Sequence, residues 1–391
     1  MNNTTKKNCI AAILTVALWG PVPAQAQQQA GQRGGASPAD RFQQLDRNGD
    51  GQITRDELPR FFDQIDRNKD GAISREEAQA GAARWGPPAA TPLSAPSAPG
   101  IEIVRTLDIR YANTPGVDAK SQSLDVYAPK EAKNAPVIIF IHGGGWRKGD
   151  KGSPEVGAQP AANFCPEGFV FVSINYRLTP AGKHPANIQD VAKAVAWVHD
   201  HIAEYGGDPA QISIMGHSAG GHLAALVSTD ETRLQAEGKS LGVLKHAILL
   251  DGAAYNITGF FAEFQEGTSW APTRQLFLNV FGDAADGWRD ASPQAHLAPG
   301  KSIPPMLMFY TGSRSPTKAP AFADALTKAG VPSRAVDTVT LTHNEIGLKA
   351  ADKDHPLGQL VLRFLKGEDV TKFPGRLDFE QVVQPKNTGR P

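Results

Sequence analysis

A chain of 391 residues, 40% of them hydrophobic, is long enough for one large core and an accessory domain. Lysine plus arginine balances aspartate plus glutamate at 40 each, so no basic excess points to nucleic acid as a partner. At the N-terminus, Lys6 and Lys7 precede an apolar run from Cys9 to Trp19, followed by Pro23 and Ala-Gln-Ala ending at Ala26. That run is too short to span a bilayer, and A-x-A before Gln27 suits a processing peptidase. Residues 1–26 therefore read as a cleaved export signal. The expected product is periplasmic or secreted and keeps no membrane span. The residue directly after the cleavage site is Gln27 and not a cysteine, which argues against a lipid anchor. Cys9 leaves with the signal, so the mature chain has no internal disulfide and Cys165 is expected in the core.

After a Gln/Gly-rich spacer come DRNGDGQITRDE, from Asp46 to Glu57, and DRNKDGAISREE, from Asp66 to Glu77. Each sets side-chain oxygens at loop positions one, three and five, glycine at six, a hydroxyl at nine and glutamate at twelve, as a calcium loop requires. The first set is Asp46, Asn48, Asp50, Gly51, Thr54 and Glu57, with the carbonyl of Gln52. The second is Asp66, Asn68, Asp70, Gly71, Ser74 and Glu77, with the carbonyl of Ala72. Ile53 and Ile73 occupy position eight, where paired loops join in a small β-bridge, so both loops resemble EF-hands. Only LPRFFDQI separates them, so one helix must leave the first loop and enter the second. Phe42, Leu45, Phe61, Phe62, Ile65 and Trp85 suit a small shared core within 38–85. Such a unit is expected to need its two ions for stability, which favours a structural role for Ca2+. Arg47, Arg55, Lys69 and Arg75 should weaken the affinity. The Pro/Ala/Ser-rich stretch 86–100 reads as a semi-rigid linker.

From Ile101 strands and helices alternate. Strands are expected near IEIVRTLDI, SLDVYAP, PVIIFIHGG, FVFVSINY, QISIMGH, HAILLDGA, PPMLMFYTG and RAVDTVTL, the middle ones apolar throughout as a buried parallel sheet requires. Between Tyr176 and Met215, Ile188, Val191, Val195, Val198, Ile202 and Tyr205 step by threes and fours and predict a helix. The alternation implies a mostly parallel α/β sheet with helices on both faces. HGGGW, from His142 to Trp146, ends an apolar strand, where glycines let backbone N–H groups turn towards the ligand crevice. The plainer reading is a tight turn with His142 as a structural hydrogen-bonder. In MGHSAGGHLA, Ser218 stands on a strand-to-helix turn between small residues, the pattern of a nucleophile elbow. Its plainer reading is a serine that only caps the helix.

LDVYAP, HGGGW, NYRLTPAGKHPANIQD, YGGDPAQISIMGHSAGG and THNEIG together resemble the α/β-hydrolase esterases related to hormone-sensitive lipase, over about Ile101 to Gly367. GHSAGG with DVYAP upstream is more similar to the feruloyl/acetyl-xylan esterase and kynurenine formamidase branches. The resemblance implies an α/β-hydrolase domain over 101–391, with Ser218 as nucleophile, the amides of Gly144, Gly145 and Ala219 as oxyanion hole, and no catalytic cofactor. His343 is the expected base. It follows VDTVTL, sits in a loop before the helix PLGQLVLRFL, and comes after the serine, as the order Ser, acid, His demands. His246, His296 and His355 compete weakly. The acid departs from the pattern, because TGSRSPTK holds no carboxylate and Ser315 fills the usual slot. Asp251 at the end of HAILLDG, a Ser315-and-water arrangement, and Glu345, Asp352 or Asp354 stay open, the last two also as helix caps.

Between Tyr255 and Gly282, where this fold inserts cap elements, Phe260, Phe261, Phe264, Trp270 and Phe277 suit an acyl or aryl pocket as well as plain core. The expected activity is ester hydrolysis, with a small-molecule or polysaccharide-linked feruloyl or acetyl ester as substrate. Arylformamide hydrolysis and a catalytically weak calcium-binding interaction protein are the alternatives.

Overall fold

The structure, a computed structural model, describes residues 50, 52–54, 66, 68–74, 77, 101–263, 271–312 and 318–377. The expected export signal, Asp46, Asn48, Glu57, the 86–100 stretch, Phe264, Trp270 and Ser315 lie outside the described residues. The chain divides into two units, Met1–Ser94 and Ala95–Pro391, a division inside the expected linker. In the first unit β1 (Ile53–Thr54) pairs antiparallel with β2 (Ala72–Ile73). Ile53 faces Ile73 and both are buried, which is the bridge expected at loop position eight.

The second unit is built on β3 (Ile103–Arg110), β4 (Ser123–Pro129), β5 (Ala135–Ile141), β6 (Val170–Ile174), β7 (Gly207–His217), β8 (Leu244–Leu250), β9 (Met306–Tyr310) and β10 (Ser333–Asp337). All the expected strands form, in the order β10-β9-β8-β7-β5-β6-β4-β3. β4 runs antiparallel to both its neighbours, and the remaining pairs are parallel. The helices are α1 (Ala158–Phe164), α2 (Ala186–His201), α3 (Ala219–Thr229), α4 (Glu231–Gln235), α5 (Ile257–Glu263), α6 (Ala271–Phe281), α7 (Ala285–Asp290), α8 (Lys318–Lys328), α9 (His343–Lys349) and α10 (Pro356–Leu365).

Side chains alternate across the sheet, and both faces are covered. Val137, Ile139 and Ile141 of β5 join Val195 of α2, Leu223 of α3 and Phe322 of α8 in one apolar cluster. Ile138 and Phe140 face the other way, towards Phe164 of α1, Ile346 of α9 and Leu360 of α10. This two-sided burial is why β5 reads as an unbroken apolar run. The helix expected after Tyr176 is α2. Its Ile188, Val191, Val195 and Val198 are fully buried, and Gly206, in a left-handed conformation, ends the turn that follows. Cys165 is buried, as expected, and burial pushes its thiol up to about 12.

Candidate active site

Strand register assembles the site. Ile141 pairs with Gly216 across β5 and β7, and His217 pairs with Leu250 across β7 and β8. Gly143, Ser218 and Asp251 therefore stand level just past the carboxyl ends of three adjacent strands. Ligands of open α/β sheets bind at such strand ends.

Ser218 has φ 56° and ψ −117°. For a residue with a side chain such a conformation costs roughly 1–3 kcal/mol and persists only where its surroundings enforce it. Close packing enforces it here: a Cβ on Gly216 would lie 2.2 Å from the Gly220 oxygen, and one on Gly220 2.1 Å from that of Ile141. The Ser218 amide donates to the Leu250 carbonyl at 2.9 Å. Its side chain makes no capping hydrogen bond to α3, so the helix-cap reading is set aside. The strained turn holds a half-buried hydroxyl at a helix N-terminus.

The loop after β5 lies against this serine. A Cβ on Gly143 would come 3.0 Å from Ser218 Cβ. Gly144 takes φ 110°, and a Cβ there would meet the Lys148 carbonyl oxygen at 2.0 Å, so only glycine fits. Among the described residues the amides of Gly144, Gly145 and Ala219 donate to no protein acceptor. Ala219 opens α3, where amides lack intrahelical acceptors and attract negative charge. Beneath the loop the His142 ring stacks on Tyr176 at 4.5 Å, and the Tyr176 hydroxyl donates to the His142 carbonyl at 3.1 Å. Burial lowers the His142 pKa, so His142 is a neutral support for the loop. Further along, the buried Lys151 ammonium pairs with buried Asp125 on β4, and with Asp108 at 2.7 Å. This anchor has no sequence motif, since its partners lie 26 and 43 residues away.

His343 Nδ1 stands 2.6 Å from Asp251 Oδ2. The carboxylate accepts, so Nδ1 carries the hydrogen and Nε2 keeps its lone pair. Asp251 is 5% exposed and takes φ 43°, and its amide donates to the Phe309 carbonyl at 2.7 Å. His343 is not in a loop as expected but is the first residue of α9. Thr342 and Glu345 close a capping box there, the Glu345 carboxylate accepting from the Thr342 amide at 2.8 Å. That bond turns Glu345 to the helix end. Asp352 pairs with Lys349 and Asp354 with Lys353, and neither caps α10, whose N-cap is His355. The Ser315 alternative lies outside the described residues.

The competing histidines are placed elsewhere. His246 packs in β8 against Phe364, and burial lowers its pKa to about 4. His296 ends the turn Pro293–His296 and bonds the Asp290 carbonyl. Asp230, Asp290 and His296 cluster closely enough for a metal, but the Arg233 guanidinium already lies between Asp230 (2.7 Å) and Asp290 (2.6 Å). A fixed cation there disfavours a second one. Of the cap aromatics, Phe260, Phe261 and Phe277 are buried with Phe281 and Trp146, so these three are core. A crevice of about 410 Å³ opens beside Gly149 and Tyr176, lined also by Lys120, Ser121, Asp150 and Arg177.

In the first unit the described loop residues fit a hard divalent cation. The Ala72 amide donates to Asp70 Oδ1 at 3.0 Å and the Gly71 amide to Asp66 Oδ2 at 3.1 Å, while Glu77 accepts from Ser74 and from the Asn68 amide. These bonds gather the carboxylates around one loop. Asp66 Oδ1 is buried with no hydrogen-bond partner among the described residues, a costly state for a carboxylate oxygen unless a cation faces it. In the other loop the Gln52 amide donates to Asp50 Oδ1 at 2.9 Å, repeating the Asp70 geometry.

Residues 124–315 match the BD-FAE family, and 39–61 and 59–80 match the EF hand. Esterase LipQ of Mycobacterium tuberculosis is 31% identical over 288 residues, covering 70% of this chain and 65% of its own length. The probable isoprenylcysteine alpha-carbonyl methylesterase ICMEL1 of Arabidopsis thaliana is 28% identical, covering 59% and 50%. The chain thus spans less than two thirds of these curated relatives. Two solved structures share the fold. A truncated carbohydrate esterase from gut microbiota has a TM-score of 0.56 at 22% identity, over 69% of this chain and 97% of that one. An esterase of the archaeon Pyrobaculum calidifontis has 0.51 at 24%, over 68% and 84%. The sheet order, the elbow at Ser218 and these matches together give the chain an α/β-hydrolase fold similar to that of esterases, with the BD-FAE family matched over residues 124–315 and the EF hand matched at its N-terminal side.

Proposed function

We propose that the chain is a serine carboxylic ester hydrolase. The observation that carries the reading is the 2.6 Å bond from His343 Nδ1 to a buried Asp251, beside a strained serine that caps nothing. Ser218 Oγ attacks the ester carbonyl while His343 Nε2 takes its proton. The amides of Gly144, Gly145 and Ala219 hold the oxyanion, worth about 2.7–4 kcal/mol for one such donor in other hydrolases. Collapse of the tetrahedral intermediate expels the alcohol, which receives the proton from His343. Water, deprotonated by the same nitrogen, then attacks the acyl-serine and releases the acid. Asp251 keeps His343 in the tautomer that both half-reactions need.

Ser218→Ala is expected to cut turnover of p-nitrophenyl acetate by at least about 10³ with the circular dichroism spectrum unchanged. Undiminished turnover would end the proposal. A phosphonate probe should label Ser218 alone.

The natural substrate we propose is a polysaccharide-linked feruloyl or acetyl ester met outside the cytoplasm. The export-signal pattern of residues 1–26 and the resemblance of GHSAGG support it. Cell fractionation tests the location. Relative kcat/KM on methyl ferulate, acetylated xylan and simple aryl esters tests the substrate. The two EF-hand loops we assign to two structural Ca2+ ions.

A further inference from the structure

We infer that His217, the residue before the nucleophile, is a positioning residue that holds His343 in register with Ser218. This rests on the ester-hydrolase reading and adds a residue to it. His217 Nε2 lies 2.8 Å from the main-chain carbonyl of His343. A carbonyl only accepts, so Nε2 carries the hydrogen and donates. The two imidazole rings lie against each other in a tilted pair, with centroids 4.4 Å apart at 38°. The same ring also packs on the next turn of α9, because a Cβ on Gly347 would come 3.2 Å from His217 Cδ2 and 3.3 Å from Cγ. Towards the oxyanion loop, a Cβ on Gly143 would come 3.2 Å from His217 Nδ1.

One side chain therefore touches three parts of the site, and it belongs to the strand that delivers Ser218. Asp251 holds the His343 ring at Nδ1, while His217 holds the same residue at its backbone and ring. Two restraints from adjacent strand ends fix both the tautomer and the position of the base. α9 is a short helix of 7 residues, and the capping box at its start secures its own first turn rather than its distance from β7. Ile346 packs α9 on the sheet, the His217 bond ties the first residue of α9 to the end of β7, and the bare α-carbon of Gly347 makes room for the ring. Proton transfer is steep in distance, since a displacement of about 1 Å can cost about 10²-fold in rate.

The test compares p-nitrophenyl acetate kinetics for the full chain and four variants. His217→Ala is expected to lower kcat roughly 10- to 100-fold with KM within about threefold, because alignment of the base is lost and substrate binding is not. His217→Gln, whose amide can donate to the same carbonyl, should recover to within about threefold of wild type. Gly347→Ala should lower kcat about two- to tenfold by pushing the His217 ring, yet keep or raise the thermal midpoint, because alanine is the better helix former. In the double variant, Gly347→Ala should add no further loss, since the ring it displaces is gone. A merely structural role would instead move stability and activity together. The inference fails if His217→Ala keeps wild-type kcat, if glutamine is no better than alanine, or if the two losses multiply. Should His217→Ala not fold, the Gln and Gly347→Ala variants decide alone. A wild-type chain with no turnover, or one indifferent to Ser218→Ala, would refute the hydrolase reading itself, whereas Ser218-dependent turnover untouched by His217 variants refutes only this inference.

Discussion

Replacing Asp251 with asparagine keeps the shape of the residue and removes its charge. Asp251 is buried and its Oδ2 lies 2.6 Å from His343 Nδ1, so water screens the pair poorly. When His343 takes the serine proton, its positive charge forms about 4 Å from the carboxylate centre, where an effective dielectric near 20 gives about 4 kcal/mol of stabilisation. At about 1.4 kcal/mol per tenfold, that is close to 10³ in rate. Asparagine brings a second cost, because it can turn its NH2 towards Nδ1 and select the wrong tautomer, and in a serine protease this change costs about 10⁴. Asp251→Asn is therefore expected to lower kcat by about 10²–10⁴ with KM little changed. Initial rates on p-nitrophenyl acetate measure it, with near- and far-UV circular dichroism as the folding control. Retention of more than about a tenth of wild-type kcat would refute the assignment, and Ser315→Ala should stay within about threefold.

Lys151→Met should destabilise the protein by about 3–5 kcal/mol in urea titration, because it leaves Asp125 buried and unpaired, and adding Asp125→Leu should recover much of the loss. A neutral Lys151→Met would show that the pair does not anchor the loop. His222 is fully buried, donates Nε2–H to the Ala291 carbonyl at 2.8 Å, and burial lowers its pKa to about 3. The unfolded chain takes up that proton near pH 6.5, so the stability is complete above about pH 6.5 and is lost as pH falls towards 3. His222→Gln should flatten the acid limb of stability against pH by about 1.4 kcal/mol per pH unit between about 6 and 4, and equal slopes would refute this. Calorimetry should find about two Ca2+ per chain, with Glu57→Gln and Glu77→Gln each removing one, and a null titration would exclude the loops as calcium sites.

Much of this protein was legible in the sequence because its signals are local. A parallel strand buried on both faces must be an apolar run, so β5 to β9 could be read directly. The EF-hand loops and the Ser218 elbow depend on residues within a dozen positions, where composition fixes the possible backbone. Even there the structure was needed to separate an elbow from a helix cap, since the decision lies in φ 56° and a missing capping bond.

The acid shows where sequence reasoning stops. Asp251 and His343 are 92 residues apart, and four carboxylates and a serine competed for one role on spacing alone. Register resolved them, by setting the residue after Leu250 level with the residue after His217, while local helix-end and lysine contacts occupied Glu345, Asp352 and Asp354. The same holds for His217, Lys151 and the cap phenylalanines. Their roles are contacts between elements distant in sequence, and such contacts exist only once β7, β8 and α9 have packed side by side. Sequence by itself determined the local conformations and the candidate chemistry. Tertiary structure decided which candidates meet, because side-chain encounters depend on strand order and register, and neither is written in any one segment.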